Sequence, residues 1–133
     1  MPGTLPIQTI NHLGRLTKRL QESRRFYCDV LGFREIRRPN FDFPGAWLFG
    51  YGFQIHLIQN DGAGDPAGEI QTRVEHLALW VSDMDRVELL LKEHAIPYRV
   101  SHVANTGVKQ IFFRDPDGHH IEAANYPPTP EFI

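Results

Sequence analysis

The amino-acid sequence predicts an α+β fold built from two successive βαβββ modules. A weak internal repeat aligns the segment around His12 with the segment around His76, 64 positions later, and apolar positions keep pairing beyond it. Each copy continues with one amphipathic helix pattern and three short strand patterns. We therefore expect a single domain over residues 1–133, with one module at residues 7–59 and the other at residues 73–126.

The first module opens with a strand-like run from Ile7 to Leu16, followed by a helix pattern whose apolar face includes Tyr27. Thr17 is the expected N-cap of this helix, and Gly32 is expected to end it as a C-terminal glycine. Three strand patterns follow, at residues 34–37, 46–49 and 53–58. The glycine- and aspartate-rich segment 60–72 is the expected linker to the second module.

The second module repeats this order, starting with a strand pattern from Val74 to Val81. Its helix is expected to be capped by Ser82 or Asp83 and to stop before Pro97. The segment Asp115–Gly118 has the composition of a tight turn between the last two strands. The three strand patterns of this module lie at residues 98–103, 109–114 and 120–125.

Composition limits the partners of the chain. A net charge of −2 and a pI near 6.4 provide no basic surface for a phosphate backbone, so we expect no nucleic-acid binding. No apolar run approaches the length of about 20 residues that a membrane span needs, and the N-terminus lacks a signal pattern, so we expect a cytoplasmic protein. Cys28 is the one cysteine, which excludes an internal disulfide and leaves nitrogen and oxygen as metal donors.

Side chains of a strand alternate between its two faces. By this alternation each module presents two potential metal ligands on the side away from its apolar residues: His12 and His56 in the first, His76 and Glu122 in the second. The two members are 44 positions apart in the first module and 46 in the second, so the ligands occupy equivalent places. Three imidazoles and one carboxylate suit divalent iron, nickel, cobalt, zinc or manganese and leave coordination positions for two substrate oxygens.

The other histidines have simpler interpretations. A lone strand histidine is more commonly a hydrogen-bonded polar residue than a ligand, and only the coincidence in both modules favours the metal set. His94 is expected to interact with a helix C-terminus, His102 to lie on the surface and His119 to flank a turn. His120 is a rival donor that we expect to support the site or line the pocket.

Two motifs resemble those of a known family. The stretch Phe26–Phe33 looks like the FYxxVLGF signature of vicinal oxygen chelate proteins, and Phe113–Gly118 followed by Ile121 and Glu122 resembles their FxDPDGxxIE signature. The resemblance spans residues 7–126 and indicates the superfamily of glyoxalases, bleomycin-resistance proteins and extradiol dioxygenases.

The resemblance implies that the two modules curl into a cup-shaped mixed sheet around one divalent metal ion, commonly in a homodimer. It carries the metal-ligand positions onto His12, His56, His76 and Glu122. The stretch Pro39–Leu48 is similar to glyoxalase I-like proteins, also called lactoylglutathione lyases. Typical glyoxalase I enzymes carry glutamate at the position of His56.

The leading hypothesis is therefore a metal-dependent lyase or isomerase of glyoxalase type, acting on a small molecule with two neighbouring oxygens. Glu122 is the expected general base, assisted by His56 or His12. The alternatives are an Fe(II) extradiol-type dioxygenase and a non-catalytic small-molecule-binding protein of the bleomycin-resistance type. The residues expected to contact the substrate are Trp47, Phe49, Gln54, Trp80, Phe112 and Tyr126, with Arg37, Arg38 and Lys109 as cations for a carboxylate.

Overall fold

The structure is a computed structural model that describes residues 1–126. The chain divides into two compact units, residues 1–63 and a second unit that starts at Gly64. Each unit contains one four-stranded mixed sheet. Within residues 1–126, no helix has the length and apolar character needed to span a membrane.

The first unit has the order βαβββ. Its elements are β1 (His12–Thr17), α1 (Leu20–Arg25) with a π-helical continuation (Phe26–Val30), β2 (Arg34–Ile36), β3 (Gly45–Gly50) and β4 (Phe53–Gln59). The strands lie in the order β1-β4-β3-β2. The first and last strands pair in parallel, and the other two pairings are antiparallel.

The second unit repeats this arrangement. Its elements are β5 (His76–Trp80), α2 (Met84–Glu93), β6 (Tyr98–His102), β7 (Lys109–Arg114) and β8 (His120–Ala124). The strand order β5-β8-β7-β6 again pairs the first strand with the last in parallel. The predicted α+β class with two tandem βαβββ modules is therefore confirmed.

Each sheet buries one face against its own helix. In the first unit α1 packs on β3 and β4, and Tyr27, Leu48 and Ile55 have no exposed surface. In the second unit α2 contacts β8, and Ile111 and Ile121 are equally buried. Full burial of one such side chain stabilises a fold by about 1.5–3 kcal/mol, so these alternating residues fix which face of each sheet carries the helix.

Both modules begin their first strand later than the sequence pattern predicts. β1 begins at His12, and Ile7 and the residues up to Asn11 form no strand. The reason is the partner strand: His12 pairs with Gln54, and β4 itself begins at Phe53 after a tight turn. A strand extends only as far as its neighbour offers backbone hydrogen bonds.

The second module shows the same difference for the same reason. β5 begins at His76 and not at Val74. His76 pairs with His120, the first residue of β8. The chain before His120 turns back at Asp115, so no strand is present for Val74 to join.

The start of α1 also differs from the prediction. Thr17 is the last residue of β1, and the N-cap position is Arg19. The Thr17 hydroxyl accepts a hydrogen bond from the Arg19 backbone N–H at 3.0 Å and lies 2.8 Å from the hydroxyl of buried Ser23. Thr17 therefore ties the end of the strand to the helix without capping the helix itself.

The predicted turns and helix ends are otherwise confirmed. Gly32 ends the first helix with a φ of +82°, and a Cβ there would lie 2.6 Å from the Tyr51 hydroxyl oxygen. The Asp115 carboxylate accepts from the backbone N–H groups of Asp117 and His119, which closes the turn before β8. Of the two alternatives for the α2 cap, the side chain of Asp83 accepts from the Arg86 N–H at 3.0 Å.

Replacement of the α2 cap should destabilise the protein. Asp83→Ala removes the acceptor for the Arg86 N–H and should lower the free energy of unfolding by about 1 kcal/mol. Urea denaturation followed by circular dichroism measures this loss. Ser82→Ala is the matched control and should have little effect; a loss of equal size in both variants would contradict the assignment of the cap.

Candidate metal-binding site

Strand pairing in the first unit brings two histidines together. In the parallel pair of β1 and β4, His12 is opposite Gln54 and Gly14 is opposite His56. Residues opposite each other in neighbouring strands share a face of the sheet, and so do residues two apart in one strand. His12 and His56 are therefore diagonal neighbours on the face that α1 leaves free.

The same diagonal recurs in the second unit. In the parallel pair of β5 and β8, His76 is opposite His120 and Ala78 is opposite Glu122. The register makes Glu122 the counterpart of His56 and His120 the counterpart of Gln54. His76 and Glu122 are therefore diagonal neighbours in the way that the two histidines of the first unit are.

The histidine pair of the first unit is part of a continuous ring stack. The rings of His12 and His56 are 3.7 Å apart between centroids and inclined by 13°. Trp47, which is opposite His56 on β3, stacks on the other side of His56 at 4.1 Å and 8°. His56 is only 8% exposed, so a ring that could titrate is enclosed between two other rings.

The neutral form of His56 is favoured. Burial lowers the pKa of His56 most, and the nearby His12 and Arg38 lower it further. A neutral imidazole is the form that binds a metal ion. The surroundings of His56 therefore favour the form of the ring that could bind a metal ion.

The histidine and carboxylate of the second unit face each other directly. His76 Nε2 lies 3.4 Å from Glu122 Oε2, and Glu122 is only 3% exposed. His76 Nδ1 is 2.7 Å from the carbonyl oxygen of Val74, which can only accept, so Nδ1 donates. In a neutral ring the lone pair of Nε2 then faces an electron-rich carboxylate oxygen. A cation between the two atoms, either a proton or a metal ion, would remove the repulsion between the lone pair and the carboxylate oxygen.

His12 and His56 also each have one ring nitrogen in a hydrogen bond. His12 Nδ1 is 2.6 Å from the Asn11 side-chain oxygen, and His56 Nε2 is 2.8 Å from the Gln54 side-chain oxygen. Each bond fixes the ring and leaves the other nitrogen with a lone pair. The donor chemistry of both pairs therefore fits a divalent cation that binds nitrogen and oxygen.

Each unit by itself brings together one pair of potential ligands. Among residues 1–126, no three His, Cys, Asp or Glu side chains form a group able to hold one ion. The four-ligand set of His12, His56, His76 and Glu122 therefore stays a prediction, while the two pairs within the units are observed.

The predicted aromatic and amide contacts lie on the same faces as these pairs. In the first unit, Phe49 is opposite Gln54, next to Trp47. In the second, Phe112 is opposite Glu122 and meets the His76 ring edge-on at 5.7 Å. Trp80 shares the parity of His76 and is 56% exposed, so its indole is open to solvent.

The three predicted cations lie in different surroundings. The Arg38 guanidinium lies over the rings of Phe41 and Phe43 at 4.8 and 4.9 Å, and it donates to the Phe43 carbonyl. Arg37 is exposed. Of the three, Arg38 alone influences the pKa of His56, which identifies it as the cation beside the histidine pair.

Lys109 lies on the wrong face for the role predicted from the sequence. It shares the parity of Ile111 and Phe113 on the helix-covered side of β7, and its ammonium bonds to Glu88 of α2. Hydrogen bonds from Lys109 and then from Tyr98 lower the pKa of the Glu88 carboxyl. Lys109 therefore joins α2 to the sheet, on the face opposite the proposed substrate contacts.

The remaining histidines have local structural roles. His120 Nε2 accepts from the backbone N–H of Gln71 at 3.0 Å, which ties the linker to the sheet. Burial lowers the pKa of His120 most, followed by the charges of Arg114 and His76. His94 is the C-cap of α2, as expected, and His102 is exposed.

Gln110 was not predicted from the sequence to contact the site. Its Nε2 is 2.7 Å from Glu122 Oε1 and 2.8 Å from the Tyr126 hydroxyl. The parity of β7 was a usable signal, because Gln110 shares it with Phe112, which was predicted to line the pocket. The bonds of Asn11 to His12 and of the Val74 carbonyl to His76 were also missed, because a strand pattern does not show which residue bonds to a histidine ring.

The family of the chain follows from a comparison with known proteins. Residues 9–123 match the Glyoxalase/Bleomycin resistance protein/Dioxygenase superfamily. The chain therefore belongs to this superfamily, the vicinal oxygen chelate group that its two motifs predicted.

Individual relatives are of several kinds. The chain is 39% identical to "Glyoxylase I 4" of Arabidopsis thaliana over 91% of its length and 72% of the relative's. It is 28% identical to "Metallothiol transferase FosB" of Lysinibacillus sphaericus, covering 89% of this chain and 82% of that protein. A glyoxalase family protein from Enterococcus faecalis superposes with a TM-score of 0.70 at 26% identity, covering 90% of this chain and 99% of that one. The fosfomycin resistance protein FosX of Listeria monocytogenes shares the fold, with a TM-score of 0.78 at 16% identity over 92% and 94% of the two chains.

In metal-free protein, His56 should titrate below the range of an ordinary histidine. Burial, His12 and Arg38 all favour its neutral form, so Arg38→Met should raise the His56 pKa part of the way back. NMR spectra of the imidazole carbons during a pH titration measure both values. The matched control Arg37→Met removes an exposed charge and should leave the pKa unchanged. Equal shifts in both variants would contradict a local effect of Arg38.

Proposed function

We propose that the protein is a metal-dependent lyase or isomerase of glyoxalase I type. Its substrate would be a small molecule with two neighbouring oxygens, such as the hemithioacetal of methylglyoxal and glutathione. The observation that carries the proposal is the His76–Glu122 pair, in which a lone-pair nitrogen and a buried carboxylate oxygen face each other at 3.4 Å. The relative named "Glyoxylase I 4", at 39% identity, supports the reaction type.

The proposed ligands are the two pairs together: His12, His56, His76 and Glu122. All four lie on sheet faces that the helices leave free, at equivalent positions of the duplicated module. Three neutral imidazoles and one carboxylate would bind divalent nickel, zinc, cobalt, iron or manganese. Such an ion supplies Lewis-acid polarisation of the two substrate oxygens, which acidifies the adjacent C–H.

Glu122 is the proposed general base. Its carboxylate is removed from water, and Gln110 holds Oε1 while Oε2 faces His76. The proton would be accepted when Oε2 detaches from the ion, while Gln110 keeps the carboxylate in place through Oε1. His56, or His12 stacked on it, would assist in this proton transfer.

Substrate contacts are proposed on the same two faces. Trp47 and Gln54 flank His56 in the first unit. Arg38 offers a charge for a carboxylate, as in a thiol-conjugate substrate, and Arg37 would do so from the surface. In the second unit the exposed rings of Trp80 and Tyr126 offer aromatic surface, and the buried ring of Phe112 meets His76 edge-on.

A second candidate is the transfer of a thiol, as in the relatives named metallothiol transferase. The observation that favours it is the imidazole at the position of His56, where typical glyoxalase I enzymes carry glutamate. FosB proteins are 28% identical to this chain. This reaction would use the same four ligands and an electrophilic substrate in place of the hemithioacetal.

The remaining sequence predictions concern the same site. An Fe(II) extradiol-type dioxygenase would use two of the histidines with Glu122 and consume oxygen. A bleomycin-resistance-type binding protein would need none of the four donors. We propose a homodimer in the cytoplasm, as the family resemblance and composition favour.

The function is tested with purified protein loaded with nickel or zinc and assayed without oxygen on the methylglyoxal–glutathione hemithioacetal. We expect turnover in the wild type and a loss of at least about 100-fold in kcat for Glu122→Gln, because the amide neither accepts the proton nor supplies the anionic ligand. The control Glu93→Gln changes an exposed carboxylate at the end of α2 and should keep full activity.

The outcomes separate the candidates. Activity only with iron and oxygen would favour the dioxygenase. Activity only with an epoxide and a thiol would favour the transferase. A metal-loaded protein that turns over none of these substrates would contradict an enzymatic function of this type.

A further inference from the structure

A hydrogen-bonded chain of three side chains crosses the free face of the second unit. Gln110 Nε2 donates to Glu122 Oε1 at 2.7 Å and to the Tyr126 hydroxyl at 2.8 Å. Gln110 pairs with Ala124 and so shares the face of Phe112 and Glu122. The chain joins the buried carboxylate to a phenol that is 39% exposed.

The donors and acceptors of this chain are fixed by their chemistry. An ionised carboxylate only accepts, so the Gln110 amide must turn its NH2 group towards Glu122. The second hydrogen of that nitrogen goes to the Tyr126 oxygen. The Tyr126 hydroxyl is then an acceptor in this bond, and its own hydrogen can be donated to another oxygen.

The position of Tyr126 is held by the residue before it. The Asn125 side-chain oxygen accepts from the Lys109 backbone N–H at 2.8 Å, at the start of β7. The Asn125 side-chain nitrogen donates to the carbonyl of Gly107 at 3.4 Å. These bonds hold the backbone directly after β8. Tyr126 therefore extends from a fixed backbone, and its phenol lies beside Gln110.

The first unit lacks this arrangement at the equivalent place. Gly45 pairs with Ile58 as Gln110 pairs with Ala124, so glycine is the counterpart of Gln110. A Cβ at Gly45 would lie 2.4 Å from the Leu57 carbonyl oxygen and 3.1 Å from the Arg38 guanidinium. The amide is thus present only in the module whose ligand is a carboxylate.

We propose that Gln110 is a positioning residue for Glu122, and that the Tyr126 hydroxyl donates a hydrogen bond to a hydroxyl or carbonyl oxygen of the substrate. Gln110 holds one carboxylate oxygen and leaves Oε2 for the cation shared with His76. Through the same nitrogen it directs the proton of Tyr126 away from itself and towards the substrate. This inference rests on the proposed metal-dependent function.

Metal affinity tests the positioning role without any assay of activity. Co(II) is titrated into metal-free protein and followed by its visible absorption, which reports the ligands around the ion. Gln110→Met keeps the length of the side chain and removes the bond to Glu122. We expect Co(II) affinity to fall about 10- to 100-fold with a changed band shape, as for other partners of metal ligands. Gln110→Leu is a second variant with the same expectation.

Tyr126→Phe separates the two roles. It should leave Co(II) affinity unchanged and raise KM about fivefold, the effect of one lost hydrogen bond, with kcat less affected. The matched control Tyr98→Phe removes a phenol that bonds to Glu88 on the helix-covered side of the same sheet. This control should change neither quantity.

Four results would overturn an assignment. A wild type that binds no Co(II) overturns the proposed function itself. A wild type that binds Co(II) while both Gln110 variants bind it equally well overturns the positioning role alone. A Tyr126→Phe variant with unchanged KM overturns the substrate contact. If Tyr98→Phe weakens Co(II) binding as much as Gln110→Met does, the loss comes from damage to the fold and the positioning role is overturned.

Discussion

The parallel pairing of the first and last strands of each module is the interaction on which the rest of the molecule depends. It brings His12 beside His56 and His76 beside Glu122, although each pair is separated by most of a module in sequence. A slip of one residue in either pairing would turn the ligands onto the helix-covered face. That slip would also expose residues such as Ile55, which is fully buried. Hydrophobic burial therefore fixes the place of the polar site.

The duplicated framework carries different chemistry in its two copies. In the first unit the counterpart of Glu122 is an imidazole, stacked between a second imidazole and an indole, with a guanidinium nearby. In the second unit the carboxylate is held by an amide and faces a histidine whose other nitrogen is bonded to Val74. Positions that correspond by register thus differ in charge. In the first copy two stacked imidazoles lie near a guanidinium, and in the second an imidazole faces a carboxylate.

Much of the fold could be predicted because its signals are local. The strand alternation, the Asp115–Gly118 turn, Gly32 at a helix end and the cap at Asp83 each depend on a few neighbouring residues. The start of β1 could not be predicted, because it depends on where β4 begins, some 40 positions later. Thr17 was misassigned because its hydroxyl bonds to the Arg19 backbone N–H and to Ser23 inside α1, and the N-cap position falls two residues later, at Arg19.

The site was predicted less completely than the fold. The four proposed ligand positions follow from alternation and repeat spacing, but contacts such as that of Gln110 with Glu122 depend on a register between strands that the sequence does not state. Lys109 shows the opposite case, because its parity with Ile111 already placed it on the helix-covered side. Alternation therefore identifies the face of a residue, whereas its partner on that face requires the paired structure.

The coordination of a bound ion tests whether His12, His56, His76 and Glu122 share one metal. X-ray absorption spectroscopy of protein loaded with one equivalent of zinc counts the imidazole ligands through their multiple-scattering signal. We expect three imidazoles and one carboxylate in the wild type, and one imidazole fewer in His56→Ala. A wild-type spectrum with fewer than three imidazoles, or one that His56→Ala leaves unchanged, would contradict this expectation.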